Sequence, residues 1–104
     1  MKKYTFFLGL KDKDSKMQIR PDSEYMMKCQ ELTAQHLGGW TLFKGTGVFR
    51  HDDGTLVYEN CIIIQTLGFE DWDELDVGFA NMLKNLYNQE SVLMEVSEVD
   101  ALFI

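Results

Sequence analysis

The sequence predicts an α+β domain with the element order β-α-β-β-α-β. Two long extended runs flank an Asp53-Gly54 turn signal and indicate a central hairpin over residues 40–67. Two other segments place apolar residues at helical spacing, and a short apolar stretch lies near each end of the chain. The 104 residues suit one domain. The predicted strands and helices cover residues 4–10, 22–37, 40–50, 55–67, 70–88 and 92–96.

The first predicted strand alternates between two sets of side chains. One set is Tyr4, Phe6 and Leu8; the other is Thr5, Phe7 and Gly9. Either set could face a helix layer, since successive side chains of a strand point to opposite faces. A charged loop over residues 11–20 follows this strand.

The first predicted helix has recognisable ends. Asp22 or Ser23 is suited to the N-cap, and the pair Gly38-Gly39 is typical of a C-terminal stop. His36 lies on the apolar stripe near that stop, where a structural histidine is expected more than a ligand or a catalytic group.

The hairpin has two unequal arms. Gly45 and Gly47 interrupt the first arm, which indicates a bulge or a close backbone approach. Residues 61–64 of the second arm are apolar on both faces, as expected for an interior strand covered on both sides. With helices on one face only, a second copy of the chain is the expected cover for the other.

The second predicted helix begins with a run of acids that complements the positive end of its dipole. Asp73 and Asp76 have helical i,i+3 spacing, but the sequence has no calcium-loop pattern or nearby histidine there, and a solvated helix start is expected. We expect no metal and no cofactor. The last predicted strand, 92–96, closes the set.

Right-handed crossovers between these elements predict a ferredoxin-like fold, an antiparallel sheet of order 4-1-3-2 with both helices on one face. This topology brings the 11–20 loop, the hairpin turn and the start of the last strand to one end of the sheet. A ring of solvated loop residues is the alternative interpretation of that end. The candidate ligand-binding residues there are Lys11, Lys13, Arg20, Arg50, His51, Gln89, Glu90 and Ser91.

The open face of this sheet is expected to carry large apolar side chains. Phe7, Phe43 and Phe49 are the candidate interface residues, with Trp40 and Val48 as the alternative set for the second strand. Contiguous exposed apolar surface usually marks an interaction site. A homodimer or higher oligomer, or contact with another protein, therefore follows as a prediction.

Charge is unevenly distributed along the chain, whose formal net charge is −7. Residues 1–20 carry six Lys/Arg against two Asp, and the remainder carries four Lys/Arg against fifteen Asp/Glu. The acidic remainder of the chain disfavours binding of nucleic acid. Only the basic segment, residues 1–20, would attract a small anion. The absence of a ~20-residue apolar run or a cleavable leader predicts a soluble, cytoplasmic protein without a membrane contact. Cys29 and Cys61 are expected to be free thiols.

Three short motifs resemble a family of small bacterial and phage proteins. They are Tyr-Thr-x-x-x-Gly at 4–9, the Asp53-Gly54 hairpin followed by Glu59, and Gln-Glu-Ser-Val-Leu at 89–93. The resemblance spans nearly the whole chain and implies a ferredoxin-like domain. The charged 11–20 loop is similar to the phage versions, which implies a phage or mobile-element origin.

The sequence favours a non-catalytic binding module, with no catalytic residue assigned. Its partner would be a host protein or a small anionic ligand. The alternative is a small enzyme with His51 and Glu90 as an acid–base pair at the loop end of the sheet. RNA binding is disfavoured, because the third strand carries Glu59 where an RNA-binding sheet of this order carries basic and aromatic residues.

If the open face self-associates, light scattering at micromolar concentration will give at least twice the 12.1 kDa chain mass. A clean monomer would contradict sheet-to-sheet association.

Overall fold

The computed structural model describes residues 1–36, 39–50, 53–68 and 73–104, and excludes the side chains of 36, 49 and 73–76. It confirms an α+β architecture with four antiparallel strands and two helices. The elements in chain order are β1 (Lys2–Gly9), α1 (Asp22–His36), β2 (Thr41–Arg50), β3 (Leu56–Gly68), α2 (Asp73–Leu86) and β4 (Leu93–Glu98).

The strands lie in the order β2-β3-β1-β4, and all neighbours are antiparallel. Counted from the other edge, the same array is 4-1-3-2. β3 is the long central strand, and its apolar residues 61–64 pair with both β1 and β2. The predicted last strand began one residue early and ended two residues early, because β4 continues along β1 as far as the Lys2–Glu98 pair.

Both helices contribute to one buried core on the same face of the sheet. Tyr4, Phe6 and Leu8 of β1 are fully buried there, which settles the two alternatives for that strand. The Phe6 and Phe79 rings pack edge to face with centroids 5.2 Å apart. The other core members are Leu10, Cys29, Ile62, Ile64, Leu83 and Tyr87.

The β2–β3 hairpin extends past the rest of the sheet. Pairing of β1 with β3 ends at Gly9–Cys61, whereas pairing of β2 with β3 continues from Gly45–Cys61 to Arg50–Leu56. Five further residues of β2 correspond to about 16 Å of strand. The β2–β3 hairpin therefore points to the end of the sheet where the 11–20 loop lies, as predicted, but it extends well beyond that loop.

Both cysteines are free, as the sequence predicts. Cys29 is completely buried in the core, and burial raises its pKa to about 11. Cys61 is half-buried and pairs with Gly9 and Gly45 across the sheet. Within the described ranges, neither helix has the length and apolarity needed to cross a membrane.

The core predicts a clear difference between two leucines of α2. Leu83 is 0% exposed, so Leu83→Ala should lower the free energy of unfolding by about 2–5 kcal/mol through lost burial and a cavity. Leu86 is 46% exposed, and Leu86→Ala should cost less than about 1 kcal/mol. Urea denaturation measures both; equal losses would contradict this packing.

Candidate functional site

The face of the sheet away from the helices carries an apolar row near its centre. Backbone pairing places Phe7 beside Ile63 and Leu93, and Ile63 beside Phe43. Phe43 is 41% exposed and Leu93 58% exposed. A groove of about 570 Å³ passes over Phe7, Phe43 and Ile63. Such a surface suits a flat ring, which stacks on aromatic and apolar side chains.

Small residues follow this row toward the hairpin end. Gly9, Cys61 and Gly45 are neighbours across three strands, and Glu59 pairs with Gly47 one step further along. Residues two apart in a strand share a face and are about 7 Å apart. The open face therefore passes from an apolar row to Cys61 and its two glycine neighbours, over which the side chains of Ile63 and Glu59 extend.

The carboxylate of Glu59 folds back across the end of β1. A β-carbon at Gly9 would lie 2.1 Å from Glu59 Oε1 and 2.6 Å from its Cδ, so only glycine leaves room for this side chain. Glu59 Oε2 accepts the Lys11 backbone N–H at 3.1 Å. Burial, and secondarily the Glu59 charge, raise the pKa of the Cys61 thiol, which disfavours a reactive thiolate.

The Gln89 side chain reaches the same position over Gly9 from the end of α2. It is 8% exposed, and its Nε2 donates to the carbonyl oxygens of Lys11 at 2.7 Å and Tyr87 at 3.2 Å. Its Oε1 would be 3.0 Å from a β-carbon on Gly9. Glu59 and Gln89 thus border one space above Gly9.

The end of α2 holds Gln89 in this place. Asn88 has a φ of 50°, the left-handed conformation that commonly ends a helix. Its side chain donates to Asp12 Oδ1 at 2.6 Å and Asp14 Oδ2 at 2.9 Å, and lowers the pKa of the Asp12 carboxyl. Its carbonyl accepts the Lys13 N–H at 3.0 Å. These bonds attach the 11–20 loop to the start of the last strand.

The structure brings part of the predicted loop cluster together. The Gln89 side chain donates a hydrogen bond to the Lys11 carbonyl. A polar cleft of about 550 Å³ is lined by Lys13, Gln89 and Glu90. Glu90 is exposed and forms an ion pair with Lys16 at 3.5 Å. Ser91 is exposed beside it.

The two predicted arginines are not part of that cluster. Arg20 pairs with Glu24 at 3.9 Å, and Arg50 Nη1 donates to the Gly54 carbonyl at 3.2 Å on the projecting hairpin. His51 lies outside the described residues, so its predicted pairing with Glu90 does too. Of the candidate interface residues, Phe7 and Phe43 share the open face, and the Phe49 side chain is outside the description.

A second, smaller cleft of about 250 Å³ lies near the start of α1. Asp22 accepts hydrogen bonds from Gln18 at 2.5 Å and Asn60 at 3.3 Å, and pairs with Lys44 at 3.8 Å. These polar groups are engaged with one another, which favours a role in joining α1 to the hairpin.

Glu59 is the main residue that site prediction from the sequence missed. In the sequence it is a member of the hairpin motif and a residue that argues against RNA binding, and its neighbour Gly9 is a member of the first-strand motif. The available signal was alternation, because Glu59, Cys61 and Ile63 fall on one face of β3. The approach of Glu59 to Gly9 depends on the register between β1 and β3, which are far apart in sequence.

No protein-family model and no curated protein matches the chain. A phage SAM lyase in complex with S-methyl-5′-thioadenosine is a similar solved structure, with 22% identity and a TM-score of 0.68 over 93% of this chain and 80% of that one. The same enzyme class in its apo state gives 22% identity and 0.66 over 92% and 78%. The de novo designed protein Foldit4 gives 11% identity and 0.51 over 95% and 98%. These likenesses establish the fold.

The prediction of a non-catalytic binding module is wrong. Two similar natural structures that share this fold over more than nine-tenths of the chain are phage enzymes, which contradicts that prediction. The phage origin of these structures agrees with the predicted phage link. Neither comparison supports a binding-only role, and self-association stays a prediction.

The close approach at Gly9 predicts opposite effects at two glycines. Gly9→Ala should displace Glu59 and destabilise the fold by about 1 kcal/mol, since a lost bond to a charged group outweighs the gain from replacing a strand glycine. Gly78→Ala has open space around its β-carbon in α2 and should stabilise by about 0.5–1 kcal/mol. Chemical denaturation gives both signs; stabilisation by Gly9→Ala would contradict the close approach.

Proposed function

We propose that this chain is a ferredoxin-like enzyme that binds S-adenosylmethionine and cleaves one of its carbon–sulfur bonds. The observation that carries the proposal is the Glu59 carboxylate held over Gly9, which lies two residues from Phe7 of the apolar row on the open face. The likeness to phage SAM lyase supplies the substrate class.

The open face offers what this substrate needs. Phe7, Phe43 and Ile63 form an apolar surface for the flat adenine ring. The ribose and the sulfur would extend from this surface toward Glu59, past Cys61 and the side-chain atoms of Ile63 that lie over Gly45. Glu59 then supplies a negative charge for the cationic end, and its fixed bond to Lys11 keeps it oriented.

The change in charge during the reaction indicates which cationic group of the substrate Glu59 would bind. It would bind the ammonium group and not the sulfonium. When the carbon–sulfur bond breaks, its electron pair stays on sulfur, and the sulfonium becomes a neutral thioether, S-methyl-5′-thioadenosine. A carboxylate beside the sulfonium would stabilise the substrate more than the transition state, which slows the reaction. The ammonium keeps its charge throughout, so a carboxylate there binds and orients without this penalty.

The fragment whose carbon atom loses the sulfur must also reach a stable form. Attack by the carboxylate of the substrate itself gives a lactone, and loss of a neighbouring proton to a base gives an unsaturated amino acid. Both routes release the same thioether, and the second fragment distinguishes them by mass spectrometry.

The wild-type chain should convert S-adenosylmethionine to S-methyl-5′-thioadenosine faster than an enzyme-free blank, measured by chromatography. Glu59→Gln keeps the shape but removes the charge, and should lower kcat/KM by roughly 100-fold. Glu31→Gln, at an exposed position of α1, is the matched control and should match the wild type. A wild type no faster than the blank, or a fully active Glu59→Gln, would contradict the proposal.

A further inference from the structure

We infer that Gln89 is a positioning residue for this reaction, and that it acts on Glu59 through the backbone of Lys11. The inference rests on the proposed function for its kinetic consequence. Its structural part stands on the two hydrogen bonds that meet at Lys11.

The orientation of the Gln89 amide is determined by its surroundings. Its Nε2 lies within hydrogen-bond distance of two carbonyl oxygens, those of Lys11 and Tyr87. Carbonyl oxygens only accept, so the nitrogen must face them and Oε1 must face the space above Gly9. A glutamine that is 8% exposed and bonded in this way has little freedom to turn.

Lys11 is held through both of its backbone groups. Its carbonyl accepts from Gln89 at 2.7 Å, and its N–H donates to Glu59 at 3.1 Å. Fixing one group limits rotation of the other, so the glutamine sets where the N–H points and thus where the carboxylate rests. Catalysis that relies on orientation is sensitive to errors of about 1 Å.

The glutamine side chain is separable from the local fold. The Gln89 N–H donates to the Lys84 carbonyl at 2.9 Å, and the Lys13 N–H donates to the Asn88 carbonyl at 3.0 Å. Neither backbone bond uses the Gln89 side chain. A variant without the amide should therefore keep the loop attached to α2 and still lose the fixed position of Lys11.

Gln89→Met keeps the length of the side chain and removes its N–H donors. We expect kcat/KM for release of S-methyl-5′-thioadenosine to fall roughly 10- to 100-fold. Gln30→Met is the matched control, because Gln30 is exposed on α1, and it should keep full activity. In a Glu59→Gln background, Gln89→Met should cause no further loss, since its effect passes through that carboxylate.

The outcomes separate the two proposals. An inactive wild type overturns the proposed function. An active wild type in which Gln89→Met keeps full activity, or in which its loss adds fully to that of Glu59→Gln, overturns the positioning role. A purely structural glutamine would give the additive result.

A second measurement tests the inference even if the Gln89→Met variant does not fold. Between the wild type and the Glu59→Gln variant, the NMR resonances of the Lys11 backbone amide and of the Gln89 side-chain amide should both shift, because the two groups are linked through Lys11. Gln89 resonances that stay fixed while Lys11 moves would overturn the inference without reference to activity.

Discussion

The absence of a β-carbon at Gly9 is the constraint on which the candidate site depends. The register of β1 against β3 pairs Gly9 with Cys61 and puts Glu59 one step beyond on the same face. Because nothing projects from Gly9, the Glu59 side chain can lie across the strand end and accept the Lys11 N–H. Any other residue at position 9 would occupy the place of that carboxylate.

The same layout explains why one face of the sheet is available for a ligand. Both helices bury their apolar side chains against Tyr4, Phe6 and Leu8, and the alternate residues of β1 are left facing outward. The apolar row across Phe7 and Phe43 thus lies on the face of the sheet that the helices leave uncovered. A formal net charge of −7 would add a long-range attraction for the cationic substrate proposed above, which an anionic ligand would not share.

Local patterns in the sequence were sufficient for much of the fold, because turns and periodicity are short-range properties. Asp53-Gly54 marked the hairpin, and alternation separated the two faces of β1. The site required contacts between distant segments: Glu59 lies over Gly9 only through the β1–β3 register. The length of the hairpin, which puts Arg50 far beyond Lys11, depends equally on where that pairing ends.

The most direct test of this account is an NMR titration of the ¹⁵N-labelled chain with S-methyl-5′-thioadenosine, the molecule bound by the similar phage enzyme. The largest amide shifts are expected on the open face, at Phe7, Gly9, Cys61 and Ile63. Shifts confined to the cleft around Asp22 and Lys44, or no saturable shifts at any concentration, would contradict a ligand site on this face.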